Sequence, residues 1–464
     1  MKMKKRLLCV VLALSFVLAF GSLSSAAAAI SVCVDGRYLN LTVSPRMEDG
    51  KVLVPMRPIF ESLDAKVDWN AAESKITATK GDTEIILIVG STRALINGAE
   101  VILEVAARTV NGNTLVPLRF VGEALNYPVE WVSSSSTVFI GEKPAGPPYV
   151  VRSQVVNNRS VQIVEITPGA LTVGVHIANN RIGSHQSMQQ MVQDTGAVIA
   201  INGAFFDAYT TEGYYAPYGT LIRDGKLIHR GDYGTTVGFN RDGRAVIGAL
   251  LPKIEGSVNG VWGWPGNWYA YGLNRRPATN GAFIYTREWG STIGLTRGVS
   301  VAVENGVVTR VVRNADLAIP ANGYAMNFCG SEEGQLGDRF KVGDTVEYRV
   351  VYDNSAFDNV VSAVGAGPRL VRDGVAVYDP VGEGFVDTKI LTDNASRSAI
   401  GIKSDGTIVL ATTTATVRDL SDIMRALGCV QAMNLDGGAS SGLYAQGRFL
   451  TSPGRLLSNI LYFK

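Results

Sequence analysis

Two segments in the first third of the chain repeat each other, and this repeat limits what the region can fold into. Residues 51–63 and 113–125 align at a shift of 62 residues, and the same shift places Trp69 on Trp131. Each copy opens with a Leu-Val-Pro sequence, continues with apolar residues three or four apart, and leads to a Val-acid-Trp strand. Such a repeat indicates duplicated supersecondary structure. The sequence therefore predicts a small duplicated α+β module over residues 30–141.

Residues 1–29 have the layout of a secretory signal peptide. Basic residues cluster at positions 2–6, an apolar run follows over 7–20, and small residues occupy 24–29. The apolar run is shorter than the roughly 20 residues that span a bilayer. We therefore expect cleavage near position 28 or 29, a secreted or envelope-associated protein, and no transmembrane segment in the mature chain. An uncleaved membrane anchor is the alternative.

Charge and composition limit the possible partners and the number of domains of the remaining chain. The sequence has 43 basic and 41 acidic residues, and loss of the four basic residues in the leader would change the net charge from +2 to −2. Because no basic block remains, no nucleic-acid partner is predicted. With 46% apolar and 18% charged residues, 464 residues suffice for two or more domains. Prolines within 142–149 predict a linker between domains at 30–141 and 150–464.

Three cysteines lie beyond the leader: Cys33, Cys329 and Cys429. Their spacing matches no zinc-site pattern. In an exported protein they allow one disulfide at most, for which Cys329 and Cys429 are the candidates, and buried free thiols are the equal alternative.

From residue 150 onward, short β-rich segments alternate with glycine turns, which predicts a larger β-rich, mixed α/β domain. A helix, an apolar strand and a polar turn follow one another twice. The first turn holds Asn202, Gly203 and Asp207, and the second runs from Asn434 to Ser441. Because α/β sheets tend to open a ligand crevice where strands end, we expect both turns at one site. The alternative is that the two asparagines only close Asx-type turns.

The second turn, Asn-Leu-Asp-Gly-Gly-Ala-Ser-Ser, is one of five motifs that occur in order. The other four are Asn-Gly-Ala-Phe-Phe-Asp at 202–207, Gly-Ala-Gly-Pro-Arg-Leu at 365–370, Arg-Ser-Ala-Ile-Gly at 397–401, and an Asn-Ile-Leu strand at 459–461. Together they resemble the phosphodiester glycosidase family over residues 150–464. Ala204 and Ala439 stand where the family often has glycine, so we expect ordinary backbone conformations there.

The resemblance implies an exported hydrolase that cleaves a sugar-1-phosphodiester, such as a GlcNAc-α-1-phosphodiester, in an envelope polymer or exopolysaccharide. The phosphate monoester that leaves such a substrate is already acidic, so it needs little protonation by a general acid. The site must mainly hold the phosphate charge and stabilise an oxocarbenium-like transition state. Arg397 is the candidate for the phosphate, because a guanidinium forks onto phosphate oxygens, with a structural ion pair as the alternative. Asp436 is the candidate base, nucleophile or electrostatic stabiliser, and Asp207 is its candidate partner carboxylate.

Further residues are predicted to contact the substrate through amides, hydroxyls or glycine backbone. They are Asn202, Gly203, Gly367, Asn434, Gly437, Gly438, Ser440 and Ser441. His229 is a candidate proton shuttle, although a lone histidine at a strand end is more often structural. Asp207 and Asp436 with carbonyl oxygens would suit calcium, but no calcium-loop pattern is present, so no metal or other cofactor is predicted.

The repeat-containing module resembles the copper amine oxidase N-terminal-like domain. The name suggests copper, but His176, His185 and His229 are the only histidines, and all lie beyond residue 150. The module therefore offers no imidazole ligand. We expect it to be a stalk or to bind a cell-wall polymer. A second hypothesis for the whole chain is a non-catalytic carbohydrate-binding or envelope scaffold protein on the same fold.

Overall fold

The computed structural model describes residues 30–464 except 40, 42, 44, 111, 133–136, 144–146, 233 and 242. The predicted signal peptide lies outside these residues. The described chain is mostly β-strand with a few short helices, which agrees with the broad α+β class. In this part of the chain no helix has the length and apolar character needed to cross a membrane.

Thirteen strands and two helices are described before residue 141. The strands are β1 (Ser31–Val34), β2 (Arg37–Tyr38), β3 (Arg46–Glu48), β4 (Lys51–Pro55), β5 (Lys66–Asn70), β6 (Lys75–Lys80), β7 (Thr83–Ile88), β8 (Arg93–Ile96), β9 (Ala99–Ile102), β10 (Arg108–Val110), β11 (Asn113–Pro117), β12 (Val129–Val132) and β13 (Thr137–Ile140). The helices are α1 (Met56–Ser62) and α2 (Leu118–Leu125).

Both copies of the sequence repeat have the same order of elements. The first is β4, α1 and β5, and the second is β11, α2 and β12. Pro55 and Pro117 end the first strand of each copy, since proline has no N–H to continue a ladder, and the helix follows at once. Strands β4 and β11 pair antiparallel with Val116 opposite Val54, and both helices pack into one apolar core. A duplicated origin of the module stays a prediction.

Twenty-five strands and four helices are described after residue 148. The strands are β14 (Tyr149–Val156), β15 (Arg159–Ile166), β16 (Val173–Ile177), β17 (Ile199–Asn202), β18 (Leu221–Arg223), β19 (Lys226–His229), β20 (Thr235–Asn240), β21 (Ala245–Ala249), β22 (Lys253–Val258), β23 (Asn267–Ala270), β24 (Gly272–Leu273), β25 (Gly281–Tyr285), β26 (Val299–Glu304), β27 (Val307–Arg313), β28 (Gly323–Cys329), β29 (Val346–Val351), β30 (Val360–Gly365), β31 (Arg369–Arg372), β32 (Val375–Ala376), β33 (Ala395–Lys403), β34 (Ile408–Ala415), β35 (Cys429–Asn434), β36 (Leu443–Ala445), β37 (Arg448–Thr451) and β38 (Asn459–Phe463). The helices are α3 (Met188–Thr195), α4 (Glu332–Gln335), α5 (Thr388–Leu391) and α6 (Val417–Ala426).

Two sheets of this region carry the predicted turns. A seven-stranded sheet has the order β14-β15-β34-β33-β35-β31-β32, and a five-stranded sheet has the order β16-β38-β17-β36-β37. Apolar side chains of both sheets, such as Ile201, Ile400 and Met433, share one core. Among the described residues no sheet joins strands from both sides of residues 141–148, but the predicted domain limits stay a prediction.

The mixed α/β expectation needs a correction at the two strands that precede the turns. Strand β17 lies between β38 and β36, and β35 lies between β33 and β31, and all four neighbours are antiparallel. The site therefore does not form at the carboxyl ends of parallel strands. It forms where strand ends of two different sheets meet, because the sheets pack over a common core.

The predicted order of helix, strand and turn is confirmed in both places. Ser187 caps α3 by accepting from the Gln190 amide, and Gly196 at φ 65° ends that helix before β17. Thr416 and Asp419 form a capping box at the start of α6, which leads to β35. These local signals explain why both helices stop shortly before an apolar strand. Cys33, Cys329 and Cys429 are buried free thiols.

Candidate active site

Asn202 joins the two predicted turns. It is the last residue of β17 and is 1% exposed. Its Nδ2 donates to the Asp436 carbonyl at 2.6 Å, and its Oδ1 accepts from Ser398 Oγ at 2.6 Å and from the Gly442 amide at 3.0 Å. The Asn202 amide thus connects the five-stranded sheet to the turn after β35, and its polar atoms are used inside the protein.

Gly203 also joins the segment after β17 to the turn after β35. Its carbonyl accepts from the Asp436 amide at 3.0 Å, and its own amide donates to the Asn459 carbonyl at 3.3 Å. A Cβ at position 203 would lie 2.1 Å from Asn459 Oδ1, and that oxygen also accepts from the Ala204 amide at 2.8 Å. Only glycine fits this approach. The structure therefore brings the predicted residues Asn202, Gly203 and Asp436 into one contact region.

Asp436 is a half-buried residue of the second turn. One carboxyl oxygen, Oδ1, accepts from the Gly437 amide at 2.8 Å, and Ser440 also hydrogen-bonds to the carboxyl. Desolvation of the carboxyl raises the pKa of Asp436 to about 7. The two hydrogen bonds and the charges of Arg455 and Arg397 only partly oppose that rise. The carboxyl can therefore exchange a proton near neutral pH, which is the property of a general acid or base.

The remaining residues of this turn mainly shape it. Residues Gly438–Ser440 form a short 3-10 turn, and the amides of Ser440 and Ser441 donate to the carbonyls of Gly437 and Gly438. Gly438 has φ +62°, a conformation that glycine adopts without strain. These two amides have partners inside the turn, and the predicted contacts of Gly437, Gly438 and Ser440 with substrate stay a prediction. In the described structure Ser441 Oγ is buried without a hydrogen-bond partner.

Asn434 and Gly367 are adjacent, as the prediction of a common site required. Asn434 Nδ2 donates to the Gly367 carbonyl at 2.9 Å, and the Gly367 amide donates to the Asn434 carbonyl at 3.0 Å. Asn434 is fully buried, and its Oδ1 has no partner among the described residues. A Cβ at Gly367, where φ is +105°, would lie 3.4 Å from a carboxyl oxygen of Glu383. Sequence reasoning did not single out Glu383.

Arg397 lies beside the turn but directs most of its donors elsewhere. It is 2% exposed; Nε donates to the Ala415 carbonyl at 3.1 Å, and Nη2 donates to the Lys389 and Asp393 carbonyls at 2.6 Å each. A Cβ at Gly437 would lie 3.4 Å from Nη1. Burial lowers the pKa of Arg397, and the Asp393 charge opposes this. This placement favours a residue that orders the loops around Asp436 over the predicted fork onto phosphate.

Asp207 and His229 line a cavity of about 480 Å³, together with Tyr209, Asp232 and Arg275. His229 is 2% exposed, and its Nδ1 lies 3.0 Å from the Asn274 carbonyl. Burial lowers the pKa of His229 to about 4, so the ring is neutral at pH 7. These features favour the structural alternative for the histidine. The predicted pairing of Asp207 with Asp436 stays a prediction.

Sequence reasoning missed a group of side chains next to Asp436: Tyr209, Lys389 and Arg455. Lys389 Nζ lies 5.0 Å from the Tyr209 ring centroid, and the Arg455 guanidinium carbon lies 4.9 Å from the same centroid. Arg455 Nη2 also donates to Tyr209 Oη at 2.9 Å. Single residues from three distant segments give no spacing pattern. The one available signal was the position of Arg455 just before the closing strand.

The described residues contain no group of three or more His, Cys, Asp or Glu side chains that could hold a metal ion. Copper, which the name of the N-terminal family suggests, needs nitrogen or sulfur donors. The module has no histidine, and its Cys33 is a lone buried thiol. The residues of the module therefore do not fit a copper site.

Comparison with protein families gives two matches. Residues 297–464 match the phosphodiester glycosidase family model, and residues 33–140 match the copper amine oxidase N-terminal domain model. Both resemblances are confirmed. The phosphodiester glycosidase match contains Asp436, Asn434, Arg397 and Arg455, whereas Asn202 lies outside it. The Asn202 contact therefore extends the site beyond the matched segment.

Other matches concern the fold or a part of the chain. A crystal structure of a hypothetical protein from Synechocystis has a TM-score of 0.59 at 18% identity, covering 94% of this chain and 98% of that one. A Burkholderia pseudomallei K96243 protein, described as exported, has a TM-score of 0.54 at 16% identity, covering 86% and 96%. These two show a shared fold. A Brevibacillus choshinensis protein named as a protease inhibitor is 32% identical over 118 residues, which are 25% of this chain and 36% of that protein.

Proposed function

We propose that the chain is an exported hydrolase of sugar-1-phosphodiesters, with Asp436 as the group that acts at the anomeric carbon. The observation that carries this proposal is the half-buried Asp436 carboxyl in a turn that Asn202 fixes to a second sheet, with its pKa raised to about 7. Enzymes place proton-transferring carboxyls in such desolvated sites. The match of residues 297–464 to the phosphodiester glycosidase family supports the choice of bond.

Asp436 acts as a general base in this proposal. The oxygen of a water molecule forms a bond to the anomeric carbon, and a proton of that water passes to the Asp436 carboxylate. The bond from the anomeric carbon to the phosphate oxygen breaks, and its electron pair leaves with the phosphate monoester. That monoester is a good leaving group, so no strong general acid is required. A single displacement of this kind inverts the anomeric configuration.

The neighbouring polar groups have different roles. Asn202 makes internal hydrogen bonds through both of its side-chain polar atoms, so it positions the Asp436 turn and does not bind sugar. Asn434 Oδ1 and Ser441 Oγ are the buried polar atoms of the turn that lack a partner in the described structure. Unpaired buried polar atoms are costly, and a sugar hydroxyl would offset that cost where opening of the turn lets it reach them. They are our candidates for sugar recognition.

The test is turnover of a defined substrate by the purified full chain. The parent protein is incubated with the methyl phosphodiester of GlcNAc-α-1-phosphate. The amount of free GlcNAc is measured, and NMR identifies the anomer that is released first. We expect release of the β anomer and at least a hundredfold lower rate for Asp436→Asn. Asp224→Asn is the matched control, because Asp224 is exposed in a hairpin turn at φ 52°, which asparagine also tolerates.

Three outcomes would change the proposal. Release of the α anomer would make Asp436 a nucleophile in a two-step reaction. No turnover over a panel of sugar phosphodiesters, with sugar binding retained, would favour the non-catalytic carbohydrate-binding or scaffold alternative. Equal rates for Asp436→Asn and the parent would remove Asp436 from the chemistry.

We further propose that the protein works in the cell envelope and that residues 30–141 attach it to a wall polymer. Support comes from the predicted signal peptide and from the structural similarity to a protein described as exported. The substrate would then be an envelope polymer or exopolysaccharide. A fusion of residues 30–141 to a fluorescent protein should co-sediment with isolated cell walls, and the fluorescent protein alone should not. Equal sedimentation of the two would contradict the attachment role.

A further inference from the structure

Two cations share one aromatic ring beside the Asp436 turn. The Tyr209 ring has Lys389 Nζ at 5.0 Å and the Arg455 guanidinium carbon at 4.9 Å from its centroid. In the described residues neither cation has a carboxylate within ion-pair distance, whereas Arg57, Arg275 and Arg349 each have one. Because both positive charges lie within about 5 Å of one centroid, they repel each other, and an anion held by both would offset that repulsion.

Backbone contacts tie this group to the Asp436 turn. The Gly454 amide, next to Arg455 in sequence, donates to the Ala439 carbonyl at 2.8 Å. On the other side, the Lys389 carbonyl accepts from Arg397 Nη2 at 2.6 Å. The hydrogen bond and charge of Arg455, together with the Lys389 charge, lower the pKa of Tyr209, and the Asp436 charge partly opposes this. The Arg455 charge likewise opposes part of the rise in the Asp436 pKa, so both cations and the carboxyl lie in one electrostatic neighbourhood.

We propose that Tyr209, Lys389 and Arg455 hold the phosphate of the substrate beside the Asp436 carboxyl. This rests on the proposed function for the identity of the substrate as a phosphodiester. The non-bridging oxygens of a phosphodiester carry one negative charge, and the two cations can each meet one of them. Because Tyr209 Oη accepts its hydrogen bond from Arg455, its own proton is free to be donated to a phosphate oxygen.

The assignment changes the role given to Arg397. Its Nε and Nη2 donate to backbone carbonyls, so it cannot present a bidentate fork to phosphate. It instead holds the carbonyl of Lys389 and so fixes the start of α5, from which the Lys389 side chain reaches the Tyr209 ring. Arg397 is a positioning residue for the phosphate site. Tyr209, 72% exposed, leaves that site open to solvent and to a long substrate.

The direct test is phosphate binding by the full chain, measured by calorimetry with inorganic phosphate and with GlcNAc-α-1-phosphate. We expect Arg455→Met and Lys389→Met each to raise the Kd for both ligands about tenfold or more, since each removes a charge-assisted contact. Tyr209→Phe, which removes only the hydroxyl, should raise it about threefold to tenfold. Arg339→Met is the matched control, because Arg339 lies 4.4 Å from the Trp264 ring in an equivalent stacked pair elsewhere.

Kinetics give a second readout. With the phosphodiester substrate, Arg455→Met and Lys389→Met should raise KM by a larger factor than with the p-nitrophenyl glycoside of the same sugar, which has no phosphate to hold. Unchanged phosphate affinity in both methionine variants, or no phosphate binding by the parent at millimolar concentration, would overturn the proposal. If phosphate binding is lost in the variants but the parent has no turnover, this site stands and the proposed hydrolysis fails.

Discussion

Asn202 and Asp436 are 234 residues apart in sequence and are joined by a hydrogen bond of 2.6 Å from the Asn202 side-chain amide to the Asp436 carbonyl. The bond links strands of two different sheets at the point where both strands end. Since Asn202 also accepts from Ser398 and Gly442, one buried side chain sets the position of the turn that carries the proposed base.

Asn202→Ala should lower both stability and activity. It leaves a carbonyl, a hydroxyl and an amide unpaired in a buried position, which should cost about 2–4 kcal/mol in the free energy of unfolding. Urea unfolding and kcat/KM measure the two effects. Gln189→Ala, on the exposed face of α3, is the control and should be near neutral. A stability change below about 0.5 kcal/mol for Asn202→Ala would show that the bond does not fix the turn.

The pH dependence of activity should identify the form of Asp436 that works. Its pKa is about 7, and a general base must be ionised, so kcat/KM should rise with pH through about 7 and level off above it. A rate that falls through the same pH range would instead assign a general acid. Profiles on the phosphodiester substrate between pH 5 and pH 9 decide this, and Asp436→Asn should lose that transition.

The same carboxyl should make stability depend on pH. Its pKa is raised in the folded protein from the ordinary 3.8 to about 7, so the protonated form favours folding. That contribution is fully present below pH 3.8 and is lost as pH rises through about 7. Asp436→Asn should therefore gain stability relative to the parent between pH 4 and pH 8. The measurement is the difference in urea midpoint, and a constant difference over this range would contradict the raised pKa.

Local signals allowed prediction of much of the fold around this site. Gly196 and Gly428, each at a positive φ, mark the ends of the two helices in the sequence, and apolar runs mark β17 and β35. The Asn-Gly turn at 202–203 and the Asp-Gly-Gly turn at 436–438 indicated where two backbone segments approach each other closely. Such features depend on neighbours within a few residues, which is why they can be seen without the structure.

The remaining features depend on contacts between distant segments. Arg397 donates to the carbonyls of residues 389 and 393 because α5 packs beside it. The Arg-Ser-Ala-Ile-Gly motif that contains Arg397 does not encode that packing. Tyr209, Lys389 and Arg455 meet only in the folded chain. The antiparallel neighbours of β17 were hidden as well, because a short buried strand has the same apolar sequence in parallel and antiparallel sheets.

Gly203→Ala should disrupt the junction of the two sheets. The new methyl group would lie 2.1 Å from Asn459 Oδ1 and would displace the oxygen that accepts from the Ala204 amide. We expect a loss of about 1–3 kcal/mol in unfolding free energy and a lower kcat/KM. Gly263→Ala is the matched control, because nothing lies within 4 Å of a Cβ there. Equal melting temperatures for the two variants would mean that Asn459 can move freely.

Arg397→Lys should separate a structural role from a role in phosphate binding. Lysine keeps the positive charge, but it cannot reach the Ala415, Lys389 and Asp393 carbonyls together, so at least one buried carbonyl loses its partner. We expect a loss of about 2–3 kcal/mol in unfolding free energy, with kcat reduced because the Asp436 turn is less well held. Arg455→Met should show the reverse pattern, with near-parental stability and a raised KM. Thermal unfolding and steady-state kinetics on both variants measure this contrast. If Arg397→Lys kept parental stability and raised only KM, Arg397 would be a phosphate ligand after all.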